Sequence, residues 1–200
     1  MKSVEAAENK VVLSTTDEEK DEEVNYDILL ICTGGSYCAP IRSADEKVVT
    51  LEQRKEEMTE VQNAIKEASS VLCVGAGATG IETACYLKEF YPDKTVGITL
   101  RGNTLLKRIP GAHPLVESAL KEAGVEIHYN KDVTEAGASI PLADGSGDYA
   151  YVIDCKGFRT SGPATYLHGD MAGCIDKSNG RIMVNDHFQV TNVHPIASVN

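Results

Sequence analysis

The sequence has no hydrophobic run that approaches the roughly 20 residues a helix needs to cross a bilayer. Its first residues, Met1 to Lys20, are polar and acidic, whereas a secretory signal starts basic and continues apolar. We therefore expect a protein of the cytoplasm, or one enclosed in an organelle such as the mitochondrion, without a transmembrane segment in this stretch of chain.

Positive charge is also scarce, since 19 Lys and Arg residues stand against 30 Asp and Glu residues and give a formal net charge of -11. A surface of that sign repels nucleic-acid phosphates and anionic lipid headgroups, so small molecules are the expected partners. The 42% hydrophobic and 24% charged content is ordinary for a globular protein, and 200 residues suffice for one domain or one and a half.

None of the six cysteines belongs to a CxxC or zinc-type spacing, which argues against a zinc site. Cys32, Cys73 and Cys155 lie inside apolar, strand-like runs, so we expect buried free thiols. The histidines form no metal or nucleophile arrangement either, and we expect each of the five to be structural or exposed: His113, His128, His168, His187 and His194.

The first part of the chain predicts two strands and a helix. Lys10–Ser14 reads as a short strand and the acidic stretch Asp17–Glu23 as the tip of a hairpin. The apolar run Tyr26–Gly35, which ends at glycines, is typical of a buried strand. Apolar residues then recur at helical spacing from Leu51 to Ala68, with charges between them.

A βαβ unit is predicted next. Val71–Val74 forms a strand, a glycine-rich loop and a helix follow, and Pro92 stops the helix. Thr95–Leu100 supplies a second strand after a short turn, so the two strands should be parallel.

The remaining chain alternates shorter elements. A helix is predicted for 114–123 and a third strand for 125–128. A turn-rich region leads into 149–155, a pattern that favours a hairpin or meander. Short strands are predicted at 180–184 and 196–199, and because the last is cut off by the chain end we expect a truncated domain there.

The motif Gly75-x-Gly77-x-x-Gly80 stands directly after a strand and directly before a helix, the context that dinucleotide binding requires. We expect Gly75 to allow the tight turn, Gly77 to let the backbone approach a pyrophosphate, and Gly80 to let the helix pack closely. The helix N-terminus adds free N–H groups, and Ala78 and Thr79 complete the predicted cofactor-binding loop. The alternative is a glycine-rich turn in another kind of α/β protein.

The end of the second strand bears on the choice between NADH and NADPH. An NAD site places a carboxylate there for the ribose 2′-hydroxyl, whereas an arginine accommodates a 2′-phosphate. This sequence has Arg101, with Lys107 and Arg108 a few residues later, and no carboxylate at that point. The pattern favours NADPH over NADH, unless Arg101 is simply a solvated surface charge.

Glu82 is predicted to lie on the first turn of the helix after the glycine loop. A carboxylate there is favoured by the helix dipole and can order the loop, which is a structural role. The rival interpretation is that Glu82 faces the nicotinamide.

Four motifs in order resemble the flavoproteins that carry two dinucleotide-binding domains, the FAD-dependent pyridine nucleotide-disulfide oxidoreductase superfamily. Tyr26–Gly34 is similar to their strand ending in "ATG", and Val71–Ala84 to their second glycine loop with its glutamate. Val152–Gly157 resembles their later "TG" strand, with Lys156 in place of the usual threonine, and Gly180–Asn185 the strand that returns to the flavin.

Within that superfamily, two stretches and one helix look most like the ferroptosis-suppressor branch of apoptosis-inducing-factor-like proteins, with type II NADH dehydrogenases next. These parts are the helix that contains Met58, Leu87–Lys94 and Val184–Val190.

The resemblance implies an α/β fold: a Rossmann-like, three-layer NAD(P)H-binding domain with a parallel sheet plus a β-meander, flanked by remnants of an FAD domain. It implies hydride transfer from NADPH or NADH to FAD and on to a quinone-like or other acceptor. By the same resemblance the three loop glycines hold the pyrophosphate, Glu82 approaches the nicotinamide, Arg101 meets the adenosine ribose and Gly157 lines the nicotinamide side.

The resemblance also predicts domain boundaries. Residues 1–50 are interpreted as a remnant of the FAD domain, 51–178 as the NAD(P)H domain and 179–200 as a truncated return to the FAD domain. The flavin loop of the family would precede Met1, so we expect FAD in a longer parent protein, one that can be membrane-associated, and not in this chain, which should be inactive alone. Two alternatives stay open: part of a disulfide reductase, and a sensing module that binds NAD(P) without turnover.

Overall fold

The computed structural model describes residues 1–14, 20–37, 39–43, 50–131, 133, 148–157, 159–160 and 162–191. Within these residues it contains nine strands and three α-helices. The strands are β1 (Ser3–Glu5), β2 (Lys10–Ser14), β3 (Asp21–Asn25), β4 (Gly35–Ser36), β5 (Ser70–Val74), β6 (Thr95–Thr99), β7 (Val125–His128), β8 (Tyr151–Asp154) and β9 (Arg159–Thr160). The helices are α1 (Leu51–Glu67), α2 (Ala78–Phe90) and α3 (His113–Glu122).

The chain divides into two compact units. The first combines Met1–Ser36 with Arg159–Asn200, and the second is Tyr37–Phe158. The units therefore change at residues 36/37 and 158/159, whereas the sequence places its domain changes at 50/51 and 178/179. The assignment of these regions to an FAD and an NAD(P)H domain stays a prediction.

A parallel sheet forms the centre of the second unit. Its order among the described residues is β7-β6-β5-β8, and every neighbouring pair is parallel. All five residues of β5 are buried, since it has a strand on either side and α2 packs against it. The expected βαβ unit β5-α2-β6 is confirmed, as is the α/β class.

The meander expected before β8 falls mainly on residues 134–147, outside the described residues. The strand itself differs from the prediction, because Tyr151–Asp154 joins the sheet parallel to β5 and forms no hairpin ladder among the described residues. β8 lies at one end of the strand order.

The helix α1 begins with a capping box, in which the Thr50 hydroxyl accepts from the Gln53 backbone and the Gln53 side chain accepts from the Thr50 backbone. Its apolar stripe packs only in part, because Ile65 contacts the core whereas Leu51 and Met58 are exposed. No residue of α1 is buried, so the helix lies on the surface of its unit.

The first unit contains a three-stranded antiparallel sheet of order β1-β2-β3 and a short pairing of β4 with β9. Its core joins residues from both ends of the chain: Val4, Val11, Tyr166, Leu167, Met171 and Cys174. The β2–β3 hairpin corrects the interpretation of the acidic stretch as a turn, because its second half, from Asp21, is strand. Residues 15–19 are outside the described residues.

The buried strand predicted for Tyr26–Gly35 is wrong. Only Gly35 belongs to a strand, and Ile28 and Leu30 are exposed. Tyr26, Leu29 and Ile31 do pack on the core of the first unit. The segment is therefore covered on one side only, and no strand ladder runs along it in the described part of the chain.

Two smaller expectations also need correction. Cys32 lies in that extended segment and is exposed, whereas Cys73, Cys155 and Cys174 are buried free thiols. The strand predicted at 180–184 is reduced to isolated bridges of Ile182 with Ile175 and of Val184 with Val190. The strand predicted at 196–199 lies outside the described residues. No helix in the described part of the chain has the length and apolar character needed to cross a membrane.

Candidate functional site

The strand order reverses at β5, which has β6 on one side and β8 on the other. In open parallel α/β sheets a ligand crevice forms outside the carboxyl ends of the strands at such a reversal. The glycine loop follows β5, and Gly157 follows β8. The topology alone therefore places two predicted site segments at the same edge of one sheet.

Two of the loop glycines are required by the backbone itself. Gly75 has φ +113°, and a Cβ there would lie 2.9 Å from the Cys155 carbonyl oxygen. A Cβ on Gly80 would lie only 1.8 Å from the Gly75 carbonyl oxygen. These contacts give physical reasons for glycine, a tight turn at the first position and close packing of α2 on the loop at the third.

Gly77 differs, because a Cβ built on it meets nothing within 4 Å. It is the N-cap residue of α2, has an extended backbone and offers no side chain to cap the helix. The N–H groups of the first turn, where Ala78 and Thr79 lie, are therefore left for another acceptor. Open space beside uncapped N–H groups is the arrangement that suits a phosphate.

Glu82 is exposed but does not lie where the sequence placed it. Because α2 begins at Ala78, Glu82 falls in its second turn, and no acidic residue occupies the first turn. The helix dipole acts mainly within the first turn, so the dipole argument for Glu82 is wrong. Its approach to a nicotinamide stays a prediction.

Arg101 is exposed at the carboxyl end of β6, the neighbour of β5. The loop after it is anchored by Leu105, whose side chain is fully buried and whose N–H donates to His113 Nδ1 at 3.2 Å. The Leu106 N–H donates to the Ala76 carbonyl at 3.0 Å and ties this loop to the glycine loop. His113 is thus a structural residue.

The same loop carries Lys107 and Arg108, both exposed. Three cationic side chains therefore stand on one anchored loop that is bonded to the glycine loop. Such a cluster favours an anionic ligand, and a guanidinium suits a phosphate in particular.

Gly157 has φ +91°, and a Cβ there would meet nothing within 4 Å. Its backbone conformation, and no close neighbour, is the reason for glycine. The preceding Lys156 pairs with Asp154 at 3.1 Å and donates to the Val133 carbonyl at 3.1 Å. The lysine that replaces the usual threonine is therefore held by β8 and by the backbone of residue 133.

Sequence reasoning predicted that Cys73 and Cys155 are buried thiols but missed the contact between them. Hydrogen bonding with Cys73 on β5 and with Thr83 on α2 lowers the pKa of the Cys155 thiol, whereas the contact with Cys155 and burial raise the pKa of Cys73. The parallel pairing of β5 and β8 could have signalled the contact, but the sequence did not show that pairing.

No group of His, Cys, Asp and Glu side chains among the described residues could hold a metal ion. The features at the carboxyl edge are instead a glycine loop, a helix N-terminus and a cationic loop. Together with the strand order they define the class: a Rossmann-like α/β domain.

The chain belongs to the pyridine nucleotide-disulphide oxidoreductase family, whose model matches residues 1–197. This confirms the resemblance found in the sequence. Among curated relatives, ferroptosis suppressor protein 1 of Taeniopygia guttata is 24% identical over 219 residues, which cover 98% of this chain and 54% of that protein. The chain spans about half the length of this relative.

Solved structures share the fold. A water-forming NADH oxidase from Lactobacillus brevis, bound to NADH, has a TM-score of 0.66 and 19% identity, and the match covers 95% of this chain and 42% of that one. An engineered NADPH oxidase derived from that enzyme and bound to NADPH has a TM-score of 0.65 and 18% identity, over 95% of this chain and 42% of the other. Both neighbours are oxidoreductases.

Proposed function

We propose that the chain is the NAD(P)H-binding part of an FAD-dependent oxidoreductase, which transfers a hydride from NAD(P)H to FAD and on to a quinone-like or other acceptor. The observation that carries the proposal is the open, uncapped N-terminus of α2 beside Gly77, at the point where the strand order reverses. Family membership supports the same reaction class.

Different residues of the second unit contact different parts of the dinucleotide. The backbone from Gly75 to Gly80 receives the pyrophosphate, with the N–H groups of Ala78 and Thr79 as donors. Arg101 meets the adenosine ribose or its 2′-phosphate, while Glu82 and Gly157 lie toward the nicotinamide. When bound, the reduced nicotinamide supplies the hydride.

NADPH is the proposed preference, because Arg101 stands where an NAD site carries a carboxylate. The Lactobacillus pair offers a parallel. The form bound to NADPH carries five substitutions, among them an aspartate to alanine and an alanine to arginine. Loss of a carboxylate and gain of a guanidinium are the changes that a 2′-phosphate requires.

We propose that this chain binds the nicotinamide dinucleotide without FAD, because the printed sequence contains a single GxGxxG motif and its surroundings suit the nicotinamide dinucleotide. Absorbance of the purified chain near the flavin bands tests this directly. Stoichiometric flavin in the purified chain would contradict it.

The sensing alternative shares this observation, since one dinucleotide loop suffices for binding without turnover. Oxidation of NADPH by the chain with added FAD and a quinone would count against a sensor. Binding without turnover, both in this chain and in a longer chain that holds flavin, would favour a sensor.

Replacement of Gly77 by valine tests the site. The extended backbone accepts valine and nothing in the protein lies within 4 Å of the new Cβ, so the fold should persist while the pyrophosphate is blocked. We expect NADPH affinity, measured by fluorescence titration, to fall at least about tenfold, the loss of one good charge-assisted contact. Gly111→Val, at a glycine with equal free space, is the matched control. Unchanged affinity in the Gly77 variant would place the site elsewhere.

Arg101→Glu tests the nucleotide preference. A charge-assisted contact is worth roughly 1.5 to 3 kcal/mol, which corresponds to about ten- to a hundredfold in affinity. We expect the variant to lose or reverse the preference for NADPH over NADH at one moderate ionic strength. Lys107→Glu on the same loop is the matched control and should change the preference less. If the ratio of NADPH to NADH affinity is near one in both the parent and the Arg101 variant, Arg101 is only a solvated surface charge.

A further inference from the structure

An apolar cavity of about 280 Å³ lies in the second unit between α1, α2 and the end of β8. Its wall includes Ile65 of α1, Leu87 of α2, Ile153 of β8 and Cys155, and its polar groups include the hydroxyls of Thr79 and Thr83. Drug-sized ligands occupy roughly 300 to 1,000 Å³, so this cavity suits a smaller apolar compound.

The mouth of the cavity is aromatic. Tyr86 and Phe90 stand one turn apart on α2 with ring centroids 6.3 Å apart, and both line the cavity while remaining largely exposed. Ile41 lines it as well and is also exposed. Exposed aromatic groups around an apolar cavity select apolar compounds from water.

Cys155 is part of the wall of this cavity. Thr83, whose side chain is one of the groups that lower the pKa of Cys155, lines the same wall. Cys155 as a whole is only 4% exposed, so a reagent reaches its sulfur only by entering the cavity. Size and polarity of the cavity therefore decide which reagents react.

The surroundings make Cys155 the more easily ionised thiol of its pair. Hydrogen bonds with Cys73 and Thr83 lower its pKa, against burial and the nearby Asp154 carboxylate, which raise it. Cys73 is itself also influenced by Cys85 of α2. The thiolate is the reactive form of cysteine, so ionisation at Cys155 precedes ionisation at Cys73.

We propose that the cavity is a covalent modification site, in which Cys155 adds to an apolar compound that carries a carbon–carbon double bond conjugated to a carbonyl. A bond forms between the sulfur and the β-carbon, and the π bond of the alkene breaks. The thiol proton passes through solvent to the α-carbon, so no oxidant, reductant or leaving group is involved. The proposal is independent of the proposed dinucleotide function.

Two maleimides test the site in the full chain. N-cyclohexylmaleimide is apolar and a carboxylate-bearing maleimide is charged, and both alkylate thiols by the same addition. Peptide mass spectrometry reports the rate at each cysteine, with exposed Cys32 as the internal reference. At Cys155 we expect the apolar probe to react about tenfold faster or more, the effect of burying roughly two methylene groups. At Cys32 the two rates should be similar.

Three variants sharpen the test. Cys155→Ser should remove the adduct, and Phe90→Ser, an exposed change at the mouth, should reduce the rate of the apolar probe only. Thr83→Val should move the pH profile of labelling at Cys155 to higher pH, while Thr79→Val, a matched change in the same wall, should leave it in place. The proposal fails if Cys155 stays unlabelled while Cys32 reacts, if both cysteines show the same probe ratio, or if Phe90→Ser and Thr83→Val have no effect.

Discussion

The apolar stretches 71–74 and 28–32 look alike in the sequence, and both predict a strand, yet the structure treats them differently. Every residue of β5 is buried. In the other stretch, Ile28 and Leu30 are 83% and 81% exposed. β5 thus has a neighbouring strand on either side, whereas the other stretch has only one covered face.

The difference lies in the available partners. β5 pairs with β6 and β8, and α2 covers it, so its backbone groups are hydrogen-bonded and its side chains are buried. Residues 26–34 have a core on one face and no strand ladder within the described residues. Apolar composition therefore predicts burial only where the fold supplies neighbours on both faces.

The largest expected effect is on stability. Leu72 is 1% exposed in β5, so Leu72→Ala should lower the free energy of unfolding of its unit by about 2 to 5 kcal/mol. Leu30→Ala makes the same chemical change at an exposed residue and should stay within about 0.5 kcal/mol of the parent. Urea unfolding followed by circular dichroism measures both. A large loss for Leu30→Ala would show that the two stretches are equally buried.

A second contrast lies within the glycine loop. Gly80→Ala brings a Cβ against the Gly75 carbonyl, so α2 must move and we expect a loss of about 1 to 3 kcal/mol. Gly77→Ala places its Cβ in open space, and a weaker N-cap should reduce stability by no more than about 1 kcal/mol. Thermal unfolding of the two variants side by side decides the order, and a reversed order would refute the packing described for α2.

A third prediction concerns α1, which buries no residue and relies on its capping box. Thr50→Ala removes the side-chain acceptor and should cost about 1 kcal/mol, with fraying of the first helical turn. Thr59→Ala is the matched control, since its hydroxyl bonds only within the helix to the Lys55 carbonyl. Hydrogen exchange of the first turn should rise in the Thr50 variant alone, and equal exchange in both variants would contradict the role of the cap.

The smallest expected effect is on pH dependence. Burial lowers the pKa of His128, and the charge of Lys131 lowers it further, while the nearby Glu126 carboxylate opposes the shift. Its ring nitrogen lies 2.9 Å from the Tyr149 hydroxyl. A folded pKa below the ordinary 6.5 means that the unfolded state binds more protons, so this contribution is present above pH 6.5 and is lost as pH falls through the folded value.

We therefore expect His128→Asn to flatten the loss of stability between about pH 7 and about pH 5. Urea midpoints across that range provide the measurement. A parallel decline in the parent and the variant would assign the acid sensitivity to other groups.

The sequence predicted the second unit well because its signals are local. The strand, glycine loop and helix from 71 to 90 follow from periodicity and from glycines whose geometry requires them, and the cationic loop follows from composition. The parallel position of β8 and the contact between Cys73 and Cys155 depend on pairing between distant segments, which no local pattern encodes. The sequence placed Glu82 in the first turn of α2, whereas it lies in the second turn, because the boundary of a helix depends on its cap.

In the first unit the local signals misled. The run at 28–32 has strand composition, but a strand needs a partner, and the covered face of this segment is set by residues near 166–174. The end of the acidic stretch, from Asp21, forms a strand because it pairs with β2. A distant contact decided the first outcome, and a single sequence does not contain it in readable form, whereas the second depended on where strand pairing in a local hairpin begins.

The position of β8 beside β5 has a consequence for synthesis. Val71 pairs with Tyr151, about eighty residues later in the chain. At roughly 5 to 20 residues per second, that separation corresponds to about 4 to 16 seconds on the ribosome. During this interval the nascent chain holds its most apolar strand with one edge unpaired, and such an edge is a template for another chain. A cell that makes this protein needs that edge covered until the fourth strand arrives.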